Sequence, residues 1–325
     1  MGFVPEYQLN IIKDAAFPEA MDALRGQLAK VRKDGFFSGT EGAQIYYEYF
    51  LCENARGSVV MLHGMSEFTC KHYELAWYLL QQGYSIFMYD HRCHGKSQRL
   101  TERVDLIHVE AFDHYVQDLD IFVKTVVQGA ATGPLYLYGH SMGGAVSLFY
   151  MAAHSGVFRK VVLSSPLFEP VVGVPIPLAA VSAFKDQLLH GPKSKMTHSR
   201  EFVPQIPQEW IGDPKCSRNL YMLQLRLDEP RYQSTPMTAR FALRALYLTP
   251  KLLRLAKRIS TPHLLISGEK DIVVNTRPHQ KYAKRAPMCS FVSVPEGKHA
   301  MTCDHEEQVA IHTHLVLDFL QEDTP

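Results

Sequence analysis

The stretch that decides the fold is Pro134-Leu-Tyr-Leu-Tyr-Gly139-His140-Ser141-Met142-Gly143-Gly144-Ala145. An apolar run leads into the pattern Gly-x-Ser-x-Gly, and an apolar helical pattern follows it. A strand, a sharp turn and a helix in this order present a serine hydroxyl above the edge of a sheet. Glycine is needed at positions 139 and 143 because side chains there would collide with neighbouring backbone. Ser141 is therefore the candidate nucleophile.

Short β-prone runs alternate with helical patterns on both sides of this motif. In one helical pattern, Phe112, Val116, Leu119 and Val123 recur at a spacing of three or four residues. Such alternation predicts the α/β class, with a mainly parallel twisted sheet flanked by helices. The predicted strands are Gln44–Leu51, Ser58–Leu62, Tyr84–Tyr89, Leu135–Tyr138, Lys160–Leu163, His263–Ile266 and Phe291–Val294, and the predicted helices are His72–Gln82, Ala111–Val127, Gly143–His154 and Thr276–Arg285.

One region breaks the alternation. Residues 166–255 are rich in Pro, Arg and Tyr and contain no convincing β-run, which indicates a helical insertion, or cap. The predicted organisation is a first part of the core at 1–165, the cap at 166–255 and a second part of the core at 256–325.

The composition excludes several classes of function. The chain has 34 basic and 33 acidic residues and a formal net charge of +1, so no overall field attracts nucleic acid. Its six cysteines are scattered and form no CxxC pair, which argues against a disulfide or zinc framework. No nucleotide, flavin or metal motif is present, so we expect no cofactor, no metal and no nucleic-acid partner.

The sequence begins with MGFVPEYQLNIIKD, where Lys13 and Asp14 interrupt the apolar residues. This pattern lacks a secretory h-region and predicts a cytoplasmic protein. The apolar run from Val171 to Phe184 contains Pro and Gly and is shorter than the roughly 20 residues that a membrane span requires. Peripheral contact of the cap with the inner face of a membrane is compatible with it.

A serine nucleophile needs a base to take its proton and a third group to orient that base. Glu269 and Asp271 follow the predicted strand His263–Ile266, at the edge where open α/β sheets place their sites, and position alone leaves both as candidates. His299 follows the last strand and is the expected base. The remaining histidines near the end of the chain, His305, His312 and His314, belong to a helical pattern.

The tetrahedral intermediate of acyl transfer needs N–H donors for its oxyanion. One candidate is the N–H of Met142, directly after the nucleophile. The other is the N–H of Met65, on the His63-Gly64-Met65 turn that leaves the strand Ser58–Leu62.

Taken in order, these motifs resemble the lysophospholipase and monoacylglycerol lipase family of α/β-hydrolases. The segments that carry the resemblance are Val60-Met-Leu-His-Gly64, Tyr89-Asp90-His91-Arg92-Cys93-His94-Gly95-Lys96-Ser97, Gly139-His-Ser-Met-Gly143-Gly144, Gly268-Glu-Lys-Asp271 and Gly297-Lys-His299. The resemblance covers the core on both sides of the insertion. It favours Asp271 over Glu269 as the acid and implies that Asp90 and Arg92 form a structural ion pair or hydrogen-bond network. Cys93 departs from the family, which usually has glycine at that position.

The resemblance implies a carboxylic ester hydrolase that forms an acyl-enzyme on Ser141. Its substrate class would be a lysophospholipid or a monoacylglycerol, with the cap covering Ser141 and shaping the acyl site. The segment from Val171 to Val181 could equally line an acyl groove, lie against a bilayer or form a buried cap helix. Basic residues that could contact a phosphate give a slight preference for lysophospholipid, and they are Arg200, Arg218, Arg226, Arg231 and Arg240.

Two other classes of function compete with this interpretation. A serine aminopeptidase or proline iminopeptidase uses the same triad, but it needs a cap carboxylate for the free amino terminus, and no paired acidic arrangement is evident. A non-catalytic binding protein of the same fold would normally lack a triad residue. A dehalogenase would carry aspartate at position 141.

Overall fold

The computed structural model describes residues 2–4 and 6–322, and eight strands of this part form one sheet. The strands are β1 (Arg32–Ser38), β2 (Gln44–Phe50), β3 (Gly57–Leu62), β4 (Tyr84–Tyr89), β5 (Leu135–His140), β6 (Lys160–Ser164), β7 (His263–Gly268) and β8 (Cys289–Val294). Their order in the sheet is β1-β2-β4-β3-β5-β6-β7-β8. Pairs β1–β2 and β2–β4 are antiparallel, and every other neighbouring pair is parallel.

Helices cover both faces of the sheet, which is the architecture that the sequence predicts. Leu119, Val146 and Tyr282 belong to the apolar cluster on one face, and Leu24 and Val316 belong to the cluster on the other. The α-helices are α1 (Phe17–Val31), α2 (Tyr73–Gln81), α3 (Asp113–Phe122), α4 (Gln128–Ala130), α5 (Met142–Ala153), α6 (Ile176–His190), α7 (Ser217–Asp228), α8 (Ala239–Leu246), α9 (Leu248–Leu255), α10 (Arg277–Ala283) and α11 (Glu306–Gln321).

Strands β3, β4 and β7 are buried along their whole length, as expected of parallel strands covered on both faces. Their near-continuous apolar sequences made them predictable. Strand β1 is absent from the predicted set because it lies at the sheet edge and carries the polar sequence RKDGFFS, of which only Phe37 is buried.

The chain between β6 and β7 contains helices α6 to α9. Helix α6 packs on α8 through a small cluster that includes Ala179, Ala180 and Leu246. Helix α9 packs on α5, and its Leu248 and Leu252 join the main core. The segment therefore contains one helix that is integral to the core, and the predicted cap boundaries at residues 166 and 255 stay a prediction.

Helix α7 is fixed to the core by the buried guanidinium of Arg218. Arg218 Nε donates to Glu74 Oε2 at 3.0 Å, Nη2 donates to Glu74 Oε1 at 2.7 Å, and Nη1 pairs with Asp14. The guanidinium also lies over the ring of Phe17, 4.5 Å from its centroid. Because Arg218 is only 1% exposed, it holds the fold together and is not free to bind a substrate phosphate. The expectation that it contacts a phosphate is therefore wrong.

Candidate active site

Ser141 lies on the sharp turn between β5 and α5, with φ 49° and ψ −113°. A non-glycine residue with positive φ is strained, and such strain persists where packing determines the turn. A methyl group added at Gly139 would lie 2.7 Å from the carbonyl oxygen of Gly143, and one at Gly143 would lie 2.5 Å from that of Leu62. Gly139 therefore lets the strand end pack closely on the start of α5, and Gly143 lets the turn pack directly against the end of β3.

The structure brings Ser141, His299 and Asp271 into one chain of hydrogen bonds. Ser141 Oγ lies 3.0 Å from His299 Nε2, and His299 Nδ1 lies 2.7 Å from Asp271 Oδ2. With the imidazole proton on Nδ1, the ring donates to the carboxylate and accepts from the serine hydroxyl. The three residues follow β5, β7 and β8, at the carboxyl ends of parallel strands.

The geometry separates the two acidic candidates. Asp271 Oδ1 accepts the N–H groups of Val273 and Val274, at 2.8 and 2.9 Å, while its other oxygen meets His299. Burial alone would raise the pKa of Asp271, but His299 and these two N–H groups hold it below its ordinary value, so the carboxylate is ionised at neutral pH. Glu269 is exposed and instead accepts the hydroxyl of Ser293 at 3.1 Å.

Both predicted oxyanion donors belong to segments beside Ser141. Met142 is the first residue of α5, where backbone N–H groups have no acceptor within the helix. On the other side, a methyl group added at Gly64 would lie 3.0 Å from Ser141 Cβ, so the turn that carries Met65 reaches the nucleophile. His63 fixes this turn, because its Nδ1 donates to the Gly64 carbonyl at 2.7 Å and its Nε2 accepts the His91 N–H at 2.9 Å.

Asp90 and Arg92 are both buried, but their partners are other residues. Asp90 accepts the N–H groups of Thr69 and Lys96, each at 2.7 Å, and burial raises its pKa to about 6. Arg92 makes a bidentate pair with Asp118, with both bonds at 2.7 Å. The expected network therefore exists as two separate anchors at the end of β4. Asp90 binds the segments that carry Thr69 and Lys96, and Arg92 binds helix α3.

Cys93 occupies the left-handed region with φ 61°, the conformation that glycine adopts without strain. Its side chain is fully buried and its Sγ accepts the N–H of Leu100 at 3.3 Å. Burial also raises the pKa of the Cys93 thiol, so it is protonated at neutral pH and unsuited to nucleophilic chemistry.

A buried polar cluster beside the triad was missed by the sequence analysis. Glu67 is 6% exposed, pairs with Lys71, and accepts from His72 Nε2 at 3.0 Å. Its Oε1 also lies 3.5 Å from Nε2 of His140, whose ring centroid is 5.1 Å from that of His299. Glu67 and Lys71 are four residues apart just after Gly64, and this spacing is the feature of the sequence that indicates an ion pair near the turn.

An open cleft of about 500 Å³ lies where the chain enters the cap. One wall is the segment from Glu169 to Ile176, and the other includes Asp271 and residues 274–276. The two walls are joined by the N–H of Val171, which donates to the Val273 carbonyl at 2.9 Å. Apolar side chains therefore border the active site on the side of the acid.

Within the described residues, no group of three or more His, Cys, Asp and Glu side chains is arranged to hold a metal ion. Across the same part of the chain, no helix combines the length and the apolar character needed to cross a bilayer.

The sequence profile of the family described as serine aminopeptidase, S33, matches residues 53–306, a range that includes Ser141, Asp271 and His299. The chain belongs to the serine aminopeptidase S33 family. Among the relatives of this chain, lysophospholipase L2 of Escherichia coli is 25% identical over 303 residues, covering 89% of this chain and 87% of that protein. Monoacylglycerol lipase of Mycolicibacterium smegmatis is 25% identical over 248 residues, covering 76% and 82% of the two chains.

Solved structures give the same fold. A monoglyceride lipase of Saccharomyces cerevisiae, crystallised as a soluble variant with a substrate analogue, superposes with a TM-score of 0.71 at 17% identity, covering 90% of this chain and 95% of that one. A carboxyl esterase of Bacillus coagulans superposes with a TM-score of 0.69 at 16% identity, covering 89% and 98%. The predicted α/β-hydrolase fold and the predicted resemblance to lysophospholipases and monoacylglycerol lipases are therefore confirmed.

Proposed function

We propose that this S33 family member is a serine esterase that cleaves a carboxylic ester of a lipid, either a lysophospholipid or a monoacylglycerol. The observation that carries the proposal is the hydrogen-bond chain from Ser141 Oγ through His299 to Asp271 Oδ2, with steps of 3.0 and 2.7 Å. This arrangement can activate a hydroxyl that is otherwise a weak nucleophile at neutral pH.

In the proposed mechanism, Ser141 Oγ attacks the ester carbonyl carbon while His299 Nε2 takes the hydroxyl proton. Asp271 stabilises the imidazolium that forms, and its own position is fixed by the two backbone N–H groups of the following loop. The N–H groups of Met65 and Met142 would receive the oxyanion. Collapse of the intermediate releases the alcohol, which takes its proton from His299, and water then hydrolyses the acyl-enzyme by the same steps in reverse.

Three acidic side chains of the cap already bind other residues, which supports ester over peptide chemistry. An aminopeptidase needs a free carboxylate for the substrate's amino terminus, whereas Glu169 accepts from Asn275 at 2.7 Å and Asp186 accepts twice from Thr197 at 2.8 Å. Glu201 likewise pairs with Arg103 and Lys195. Two relatives are a lysophospholipase and a monoacylglycerol lipase, which supports a lipid ester as the substrate.

Most of the arginines that could contact a phosphate headgroup already bind other residues of the protein. Arg226 donates to the Tyr232 carbonyl at 3.0 Å and Arg231 donates to Glu229 at 2.6 Å. Arg240 pairs with Glu110. These three guanidinium groups have protein partners and Arg218 is buried, so of the five arginines only Arg200 is exposed without a partner among the described residues. The slight sequence-based preference for lysophospholipid is therefore weakened, and both substrates stay in the proposal.

Peripheral membrane contact through the cap belongs to the same proposal. Helix α6 packs through alanines and exposes its large apolar residues, with Leu178 at 61%, Val181 at 65% and Leu188 at 75% exposure. Ile272, on the loop that follows Asp271, is also exposed, at 82%. An apolar surface bordering the active site is suited to rest on the lipid that contains the substrate.

The catalytic proposal is tested with a fluorophosphonate probe and a substrate panel of p-nitrophenyl butyrate, monoacylglycerol, lysophosphatidylcholine and an aminoacyl p-nitroanilide. We expect labelling and ester cleavage by the wild type and neither by Ser141→Ala. Ser293→Ala, at an exposed serine of β8, is the matched control and should behave as the wild type. An unlabelled, inactive wild type would contradict the esterase proposal, and cleavage confined to the anilide would replace it with the amidase.

The membrane proposal is tested by sedimentation with vesicles of phosphatidylcholine and phosphatidylglycerol. The triple variant Leu178→Ser/Val181→Ser/Leu188→Ser should bind roughly tenfold or more weakly, because each buried apolar side chain contributes on the order of 1 kcal/mol. Ile311→Ser on α11, where Ile311 is 43% exposed, is the control and should bind as the wild type. Equal binding by all three proteins would contradict membrane contact through α6.

A further inference from the structure

Glu67 is a buried carboxylate that the proposed chemical steps do not use. It lies on the segment that follows the His63-Gly64-Met65 turn, and its side chain points back to that turn. Oε2 accepts the N–H of Gly64 at 2.6 Å, directly before the residue whose N–H is the predicted oxyanion donor.

The same carboxylate also contacts the other side of the site. Oε1 lies 3.5 Å from Nε2 of His140, the residue directly before Ser141. A methyl group added at Gly64 would lie 3.0 Å from both Glu67 Oε2 and Ser141 Cβ, so little more than one methyl group separates the carboxylate from the nucleophile. Glu67 therefore sits between the two backbone segments that would supply the oxyanion hole.

A negative charge at this place would oppose the oxyanion unless a cation compensates it. Burial alone would raise the pKa of Glu67, but the charge of Lys71 and the hydrogen bond from His72 hold it well below its ordinary value, so it is ionised at neutral pH. Burial lowers the pKa of His140 to about 3, which leaves that ring neutral. The directly paired cation is Lys71, whose ammonium contacts Glu67 Oε1 and whose pKa is raised by that carboxylate against the effect of burial. The more distant Arg226 guanidinium also attracts Glu67 but makes no ion pair with it.

We propose that Glu67 is a positioning residue, holding the Gly64–Met65 backbone in place for the oxyanion, and that Lys71 neutralises Glu67 so that the oxyanion can form beside it. This inference rests on the proposed esterase function. It assigns no proton transfer to either side chain. It predicts a specific dependence between the two: loss of Lys71 is harmful because the carboxylate remains.

The test compares Glu67→Leu, Glu67→Gln, Lys71→Met and the double variant Glu67→Gln/Lys71→Met in full-length protein. For each, kcat and KM are measured with p-nitrophenyl butyrate, and thermal unfolding is recorded. Lys124→Met is the matched control, because Lys124 pairs with Asp120 in the same i,i+4 geometry on the surface of the core.

We expect Glu67→Leu to lower kcat by roughly 10²-fold with little change in KM, as for loss of one oxyanion donor. Glu67→Gln keeps an acceptor for the Gly64 N–H and should stay within about fivefold of the wild type. Lys71→Met should lower kcat by about tenfold, because an uncompensated charge beside the oxyanion raises the barrier by about that factor. The double variant removes this charge, so its kcat should recover to the level of Glu67→Gln. Lys124→Met should not change kcat.

Three results would overturn the inference. A folded Glu67→Leu with wild-type kcat would remove the positioning role, and a double variant no better than Lys71→Met would remove the charge role. If Glu67→Leu does not fold, the inference is tested by comparing the kcat of Lys71→Met with that of the double variant, because both variants keep a polar side chain at position 67. A wild type inactive on the ester would overturn the proposed function together with this inference, whereas an active wild type with insensitive variants overturns this inference alone.

Discussion

Helices α5 and α6 are both rich in apolar residues, yet the fold uses them in opposite ways. Helix α5 buries Val146, Leu148 and Met151 between the sheet and its neighbouring helices. Helix α6 buries Ala179, Ala180 and Ala183 and turns its larger side chains outward. Apolar composition alone does not tell which outcome occurs, because burial depends on the surface that the fold offers to each helix.

The difference separates two tasks. Helix α5 begins directly after the candidate nucleophile, so its burial fixes the geometry of Ser141 and of the Met142 N–H. Helix α6 has no such role in positioning the triad, and its exposed side chains are available for contact with a lipid surface. We therefore expect the chemical step to depend on the core and access to lipid to depend on the cap.

The largest expected effect tests whether the chemical step depends on residues of the core. Asp271→Asn should lower kcat by roughly 10³- to 10⁴-fold, because an amide no longer holds His299 in the required tautomer. The loss should be equal for p-nitrophenyl butyrate and for lipid in vesicles. Glu269→Gln, on the same loop, should stay within about twofold of the wild type in steady-state assays.

A loss of kcat that appears only with lipid vesicles would contradict this comparison, because Asp271 would then affect access to the lipid and not the chemical step. A large loss of kcat in Glu269→Gln would instead indicate that Glu269 is the acid of the triad.

The second prediction concerns stability. Leu148→Ala in α5 should lower the free energy of unfolding by about 2–5 kcal/mol, since a fully buried leucine leaves a cavity. Leu188→Ala in α6 should change it by less than about 0.5 kcal/mol, because that side chain is 75% exposed. Urea unfolding of both variants measures the difference, and equal losses would mean that α6 is covered in solution.

The third prediction concerns how the free energy of unfolding depends on pH. Burial lowers the pKa of His94 and His279 to about 4 and that of His140 and His312 to about 3. Their unfolded values are near 6.5, so the unfolded chain binds more protons between about pH 6.5 and 4, and the free energy of unfolding falls as the pH falls. Asp90, with its pKa raised to about 6, opposes this over part of the same range but is outnumbered.

Urea midpoints at intervals from pH 7.5 to pH 5 measure this dependence. His312→Gln should reduce the slope by about one proton or less, because it removes one buried imidazole. His190→Gln, at an exposed position of α6, should leave the slope unchanged. A slope that responds to His190 and not to His312 would place the acid-sensitive groups in the cap.

The sequence predicted the interior of the sheet better than its edge. Strands β3, β4 and β5 carry apolar runs between breakers, and each was predicted within two residues of its bounds. Strand β1 and helix α1 were not predicted. The edge strand buries only Phe37, so tertiary pairing with β2 rather than an apolar pattern determines it.

The triad geometry could be anticipated because Ser141, Asp271 and His299 each follow a predicted strand, and parallel strands end at one edge of the sheet. Their catalytic roles stay a prediction until the variants are measured. Cytoplasmic location likewise stays a prediction. Glu67 was missed because nothing in a single sequence shows that its side chain folds back to Gly64. The partners of Arg92 and Arg218 were missed for the same reason, since Asp118 and Glu74 are 26 and 144 residues away along the chain.

The ion pair of Arg218 also sets an order of events during synthesis. Asp14 and Glu74 leave the ribosome 204 and 144 residues before their partner. At translation rates of about 5–20 residues per second, these carboxylates wait for roughly 7 to 40 seconds. Until the arginine arrives, the N-terminal part of the chain cannot bury them without an uncompensated charge. The junction between the amino terminus, α2 and α7 should therefore be among the last parts of the molecule to close.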